Sequence, residues 1–289
     1  MTTAGRECDV VAYYCENRDV LVVSSKQLDM EPSGRIQLTY LITGLGYGGA
    51  EIGMVRLLSN LPADRFDVTV VSVANTPADV VPLLPDHVTV YDLRIGGTIP
   101  SLRNLRHLPR LVRNTDVMVC SLFHATLVGV TLGMIFSVPT TLVWQHNSQY
   151  GSSLRRRLYS WFYSRADRIL ADSEAVKEML VSSQHVPPDD VAVLPIAGVD
   201  TDRFRPRSDR APAEQVAVGT IGRLIDRKGY PELFEAAERL GDRFQFSVIG
   251  KGPEFERYRR ISPDNVRLLG AIDDDALPDR LASFDVYFQ

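Results

Sequence analysis

From Ile36 onward the chain alternates short apolar runs with longer mixed stretches. Ile36–Thr43, Phe66–Val73, Val88–Leu93, Val117–Cys120, Thr140–Trp144, Arg168–Ala171 and Val191–Leu194 read as strands. Ala50–Asn60, Leu102–Arg113, Ser153–Ser164 and Glu174–Val181 read as helices between them. Several runs are apolar throughout, as strands are when both faces of a sheet are covered. Such alternation, with connections long enough for crossovers, predicts an α/β fold with a doubly wound parallel sheet.

One stretch tests this reading. Residues 117–145 contain no Asp, Glu, Lys or Arg, and length alone would let them cross a bilayer. Their grain is that of strand, helix and strand. Val117–Cys120 is followed by an apolar helix over Leu122–Phe136 that includes His124, then by Pro139 and a second strand at Thr140–Trp144. A unit buried in an α/β core accounts for this better than a membrane span.

The pattern breaks at Asp202–Gln215, where proline and charge lack periodicity, and then restarts. Val216–Ile221, Phe244–Ile249, Val266–Leu269 and Val286–Phe288 read as strands, with helices at Pro231–Leu240, Pro253–Arg260 and Asp275–Ala282. The expected organisation is an N-terminal extension over 1–35, of unknown role with one strand at Val20–Ser24, and a Rossmann-like domain over 36–201. A linker over 202–215 and a partial second Rossmann-like domain over 216–289 follow. A complete doubly wound domain would continue for two or three more units, so the chain reads as truncated or as a fragment. The unfinished sheet is expected to expose apolar surface and to associate with another chain.

Composition narrows the function. With 289 residues, 45% hydrophobic and 24% charged, the chain can bury proper cores. A net charge of −4 argues against a nucleic-acid partner. Arginine outnumbers lysine 28 to 4. Cys8, Cys15 and Cys120 have neither disulfide nor zinc spacing, and no basic flank followed by an apolar run opens the chain. A cytoplasmic location is expected.

Four places could carry chemistry. Thr43–Glu51 satisfies Gly-x-Gly-x-x-Gly through Gly44, Gly46 and Gly49, between a strand and a helix, where backbone amides can approach a phosphate. It is a ligand-facing loop, a bare tight turn or a dinucleotide site. The dinucleotide reading wants an acidic residue at the end of the next strand, but that strand ends Ser72-Val73-Ala74-Asn75. In Gly219–Gly229, Arg223 offers a planar fork and Lys228 a mobile charge at the carboxyl edge of the second sheet. Two cations there suit a departing diphosphate, and a solvated basic loop is the plain alternative. His146 follows an apolar strand and can reach a cleft, whereas His124 reads as structural. Val248–Glu254 is another glycine-containing turn, consistent with a nucleotide but weak alone.

Two features are discounted. Asp273-Asp274-Asp275 precedes a helix and reads as caps rather than metal ligands. In the basic, aromatic segment 154–163, Leu154, Leu158, Trp161 and Phe162 have helical spacing and are expected to pack on the sheet, with contact to an anionic membrane as the alternative.

Together these residues resemble the retaining, nucleotide-sugar-dependent glycosyltransferases of family 4, from about Ile36 to the end. Gly48-Gly49-Ala50-Glu51 resembles the family's first glycine loop, Ala171–Val176 its segment ending the sixth strand, and Ala197–Phe204 its Asn-Gly-Val-Asp stretch with Ala197 replacing asparagine. Gly222-Arg223 through Lys228-Gly229 is the most specific match.

The resemblance implies the GT-B architecture, two Rossmann-like domains facing a cleft, the second incomplete here. It implies that Gly48, Gly49, Arg223 and Lys228 hold the donor diphosphate and that Gly222, Gly250, Glu254 and Leu269 line the nucleotide. His146 would be the active-site residue near the transferred sugar. The partners implied are a nucleotide sugar and a glycan or lipid acceptor, with no cofactor and no metal. The family's two-glutamate motif, due just after Asp285–Gln289, is absent. The alternatives are therefore an inactive remnant or non-enzymatic binding subunit and, less favoured, an NAD-dependent enzyme using Gly44, Gly46 and Gly49.

Overall fold

The computed structural model describes residues 10–15, 18–24, 34–74, 76–95, 108–146, 152–195, 201–206 and 214–289, in which two parallel sheets hold all but two of the strands. Strands β1 (Val10–Cys15) and β2 (Arg18–Ser24) form a separate antiparallel pair. Of these, the sequence pattern shows only part of β2. The chain divides into two compact units, Met1–Gly198 and Val199–Gln289.

In the first unit, seven parallel strands lie in the order β5-β4-β3-β6-β7-β8-β9. They are β3 (Ile36–Ile42), β4 (Phe66–Ala74), β5 (Thr89–Ile95), β6 (Val117–Ser121), β7 (Thr140–Gln145), β8 (Arg168–Ala171) and β9 (Val191–Val193). Every residue of β6 and β7 is buried, the polar Ser121, Thr140, Thr141 and Gln145 included, as in strands covered on both faces. Helix α1 (Gly49–Ser59) packs Met54, Val55 and Leu58 on one face of the sheet. Helices α2 (Leu108–Arg113), α3 (Phe123–Phe136), α4 (Ser153–Tyr163) and α5 (Glu174–Gln184) cover the other. The expected start of α2, at 102–107, lies outside the described residues. The charge-free stretch is β6, α3 and β7, and among the described residues no helix is long and apolar enough to cross a membrane.

The second unit holds a four-stranded parallel sheet, β12-β11-β10-β13. Its strands are β10 (Val216–Ile221), β11 (Phe244–Ile249), β12 (Val266–Gly270) and β13 (Val286–Tyr287). Helix α6 (Tyr230–Leu240) buries Tyr230, Leu233, Phe234 and Ala237. Helices α7 (Phe255–Ile261) and α8 (Leu277–Ala282) are shorter. At the sheet edge, Val286 and Tyr287 of β13 and the following Phe288 are each roughly half exposed.

One device sets strand register in both units. Asp116, Asp167 and Asp285 each stand immediately before a strand, and each carboxylate accepts a hydrogen bond from the second residue of the neighbouring strand. The donors are the amides of Gln37 at 2.8 Å, Thr141 at 2.8 Å and Ala217 at 2.7 Å. The same aspartates donate their own amides back to the carbonyls of those residues. A one-residue slip would break both bonds and turn every side chain to the wrong face.

Candidate functional site

In the first sheet the chain runs outward in one direction from β3 to β5 and in the other from β6 to β9, so the switch point lies between β3 and β6. Connections leaving β3 and β6 diverge there and open a crevice at the carboxyl ends, where such folds take ligands. Strand alternation decides what points into it. Leu38-Tyr40-Ile42, Val117-Val119-Ser121 and Leu142-Trp144-His146 are every-second-residue sets, and their apolar members belong to the core beneath α1. Leu170 belongs to the same core, and Asp172 lies two residues on. Ser121, His146 and Asp172 thus extend the α1 face past three adjacent strand ends.

These three side chains meet. Ser121 Oγ lies 2.5 Å from His146 Nε2. His146 Nδ1 lies 3.6 Å from Asp172 Oδ2, and the two side chains are only 7% and 13% exposed. That second distance suits charge attraction but exceeds a hydrogen bond. The His146 ring leans on Trp144, with centroids 5.2 Å apart, and Trp144 leans on Tyr40 at 6.4 Å. Tyr40 Oη, Trp144 Nε1 and His146 Nδ1 are buried and form no hydrogen bond of ordinary geometry among the described residues, although the Ser121 hydroxyl acts on Tyr40 Oη. Three such atoms in one cluster are unusual, because most buried polar groups are paired. Burial pushes the Tyr40 hydroxyl well above the usual phenol range. Burial likewise raises the Glu51 carboxyl on the first turn of α1, while its own backbone amide and the charge of His146 pull the other way.

The glycine loop between β3 and α1 uses its glycines in two ways. A Cβ on Gly44 would stand 2.5 Å from Thr76 Oγ1, which itself accepts the Leu45 amide at 2.9 Å, so Gly44 keeps the loop folded. A Cβ on Gly46 or on Gly49 would meet nothing within 4 Å. Neither has positive φ, so neither conformation nor crowding demands glycine there. Gly48 is an extended helix cap, and a Cβ there would touch only the movable Glu51 carboxylate.

In the second unit, Gly222 and Arg223 follow β10, beside the switch point between β10 and β13. Arg223 and Lys228 are exposed and form no ion pair among the described residues. Gly250 and Gly252 follow β11 and have structural reasons to be glycine. A Cβ on Gly250, at φ +141°, would collide with the Gly222 carbonyl, and one on Gly252 with that of Leu224. This contact is sealed by the Gly222 amide on Ile249 O at 3.0 Å and the Leu224 amide on Lys251 O at 3.0 Å. The Glu254 carboxylate is held by Arg257 at 3.0 Å, and Leu269 is half-buried on β12.

Two expectations need correction. Asp273, Asp274 and Asp275 make no side-chain cap; Arg203 instead lies 2.6 Å from Asp274 and 3.7 Å from Asp275, tying the start of the expected linker to the second unit. Asp274 and Asp275 lie inside the turn, past its capping position, and their carboxylates meet this cation instead. Helix α4 packs through only part of the expected stripe: Phe162 is buried and Leu158 half-buried against the core, whereas Leu154 and Trp161 are not. Tyr159, Phe162 and Tyr163 face the core, leaving Leu154 66% and Trp161 44% exposed beside Arg155, Arg156 and Arg157. The helical periodicity holds, but the buried stripe is rotated toward Tyr159 and Tyr163. His124 is exposed, with its ring edge-on to Phe123 at 5.3 Å.

A cavity of about 270 Å³ lies at the opposite, amino-terminal end of the first sheet, lined by Gln37, Asp67, Tyr91 and Arg110 among others. The switch point favours the carboxyl end over it. Among the described residues no group of His, Cys, Asp and Glu could hold a metal ion.

The sequence pattern singles out His146, the glycine loop and the cationic pair as candidates, and it does not single out Ser121 or Asp172, which the structure places beside His146. The signal was present: each lies two residues beyond a buried residue of the same face.

Comparison with known proteins supplies the remaining facts. The profile of Glycosyltransferase Family 4 matches residues 47–203, more than half of the chain. The phosphatidylinositol N-acetylglucosaminyltransferase GPI3 subunit of Saccharomyces cerevisiae is 25% identical over 214 residues, covering 67% of this chain and 46% of its own length. The chain therefore spans about half the length of that relative. A GDP-mannose-dependent alpha-(1-6)-phosphatidylinositol monomannoside mannosyltransferase of Mycobacterium tuberculosis is 33% identical over 106 residues, covering 31% of this chain and 28% of its own. Among solved structures, Anabaena HepE in complex with UDP-glucose superposes with a TM-score of 0.70 at 18% identity, over 88% of this chain and 73% of that one.

Proposed function

The chain belongs to Glycosyltransferase Family 4, and from that premise we propose that it moves a sugar from a nucleotide-diphosphate donor to a glycan or lipid acceptor with retention of configuration. The observation that carries this reading is the open space at Gly46 and Gly49 on the α1 side of the first switch point, where the buried His146 cluster also lies. Backbone amides there can approach a phosphate closely, and the start of the 11-residue helix α1 favours negative charge. Arg223 and Lys228 would take up the charge that grows on the leaving diphosphate, and Gly222, Gly250, Glu254 and Leu269 would border the nucleotide. His146 would hold the sugar. Side-chain cations fill the role a divalent metal has in other transferases, so no metal or cofactor is assigned.

Calorimetric titration of UDP-glucose, UDP-N-acetylglucosamine and GDP-mannose in the presence of EDTA tests this. At least one should bind, and Arg223→Ala with Lys228→Ala should weaken it about 100-fold, as expected for two lost charge-assisted contacts. Binding unchanged in the double variant would sink the assignment. Donor binding without turnover would favour the binding-subunit alternative.

The exposed Leu154 and Trp161 beside three arginines support a membrane-borne acceptor at an anionic lipid surface, with the protein held peripherally on the cytoplasmic side. Sedimentation with phosphatidylglycerol vesicles should pull down the chain, and Leu154→Ser with Trp161→Ser should release it. Equal binding to phosphatidylcholine vesicles would argue against an anionic surface.

A further inference from the structure

Two protein groups act on the His146 ring, and they act on different nitrogens. Ser121 Oγ is within hydrogen-bond distance of Nε2, while Asp172 Oδ2 faces Nδ1 from 3.6 Å. A serine hydroxyl can donate or accept, so that contact leaves the position of the ring proton open. The carboxylate settles it. An ionised Asp172 can only accept, and it stands just before helix α5, whose N-terminus favours negative charge. A bare Nδ1 lone pair aimed at that carboxylate would oppose two negative poles in a nearly dry place. A proton on Nδ1 removes the conflict and leaves Nε2 free to accept the Ser121 O–H.

We infer that Asp172 and Ser121 hold neutral His146 as the Nδ1–H tautomer, with Asp172 as a positioning residue. At 3.6 Å the carboxylate orients the proton without using it in a hydrogen bond. Consistently, Nδ1 is buried and unpartnered among the described residues, whereas Nε2 is engaged. Glu51, from α1, is the other charged group that acts on the ring.

The order Ser, His, Asp matches that of a hydrolase triad, but burial decides against a nucleophile. Ser121 has no exposed surface, so no acyl group can reach its Oγ. The groups serve the ring instead: Ser121 anchors it at Nε2 from inside, and Asp172 orients it from the Nδ1 side. Leu122, directly after Ser121, holds φ at 71°, a conformation a leucine rarely adopts, at the turn that puts Ser121 beside the ring.

The link from this ring to a sugar rests on the glycosyltransferase reading, but the tautomer does not, and the experiment separates them. The full chain labelled with ¹⁵N-histidine is measured by long-range ¹H–¹⁵N correlation at a pH where the ring is neutral, with His146 assigned from the signals lost in His146→Gln. Free histidine side chains favour Nε2–H, so a majority of Nδ1–H at His146 is the informative expected result. Asp172→Asn should shift the majority to Nε2–H, while Ser121→Ala should keep Nδ1–H. An Nε2–H majority in the unaltered chain overturns the inference, and so does an Nδ1–H majority that survives Asp172→Asn. If no donor binds at all by calorimetry, the glycosyltransferase reading fails while the tautomer result stands.

Discussion

The loop after β3 and the loop after β11 look alike in the sequence, each a run of glycines between a strand and a helix, yet they need glycine for opposite reasons. At Gly250 the backbone of another loop already fills the space a side chain would take, and φ is +141°. At Gly46 and Gly49 the space is open and the backbone ordinary. A glycine crowded by its own protein is explained by folding. One with room to spare is explained by something outside the chain or not at all. The Gly-x-Gly-x-x-Gly match is thus composite, with Gly44 crowded by Thr76 and its other two members free.

The largest expected effect breaks the second loop. Gly250→Ala should cost the second unit about 3 kcal/mol, since overpacking and an unfavourable φ act together. Faster amide exchange in β10 and β11 would report it, and exchange as slow as in the unaltered chain would show that the Gly222 carbonyl can move aside. The matching change in the first loop should behave differently. Gly49→Ala adds a methyl at the start of α1 and should leave stability equal or raised by up to about 1 kcal/mol. Binding of the donor identified by calorimetry should fall about tenfold or more, a loss of about 1.4 kcal/mol, because the methyl occupies the amide's approach. Stable protein with unimpaired binding would remove the first loop from the site.

That contrast also marks what was legible in the sequence. Strands were readable because β3, β4, β6, β7, β10 and β11 are each built around apolar residues, and the two-sheet organisation followed from their alternation with helices. The register was not readable. It depends on Asp116, Asp167 and Asp285 reaching across to neighbouring strands, which requires knowing that β6 lies beside β3 and β13 beside β10. The site was half readable for the same reason. His146 could be named from its place after a strand, but its bond to Ser121 joins residues 25 apart that become neighbours only through β6–β7 pairing. Helix α4 shows the limit of periodicity: spacing predicted a buried stripe, and the choice between Trp161 and Tyr159 was made by which ring the sheet could receive.

The smallest expected effect concerns charge, which distinguishes the two loops as much as crowding does. Glu51 lies on the first loop's helix, and burial raises its carboxyl above the ordinary value. Its ionised form is disfavoured in the folded state, so its contribution to stability is fully present below the unfolded-state pKa and is lost as pH rises through the folded one. Glu51→Gln removes this dependence. Denaturation of both proteins across the acid range should show the unaltered chain losing ground to the variant as pH rises through that window, and no further change above it. The difference should be small because Glu51 keeps contact with solvent. A gap that widens in the opposite direction, with the unaltered chain gaining as pH rises, would mean that the charge of His146 outweighs burial, and that the first loop is already balanced for an anion without any ligand.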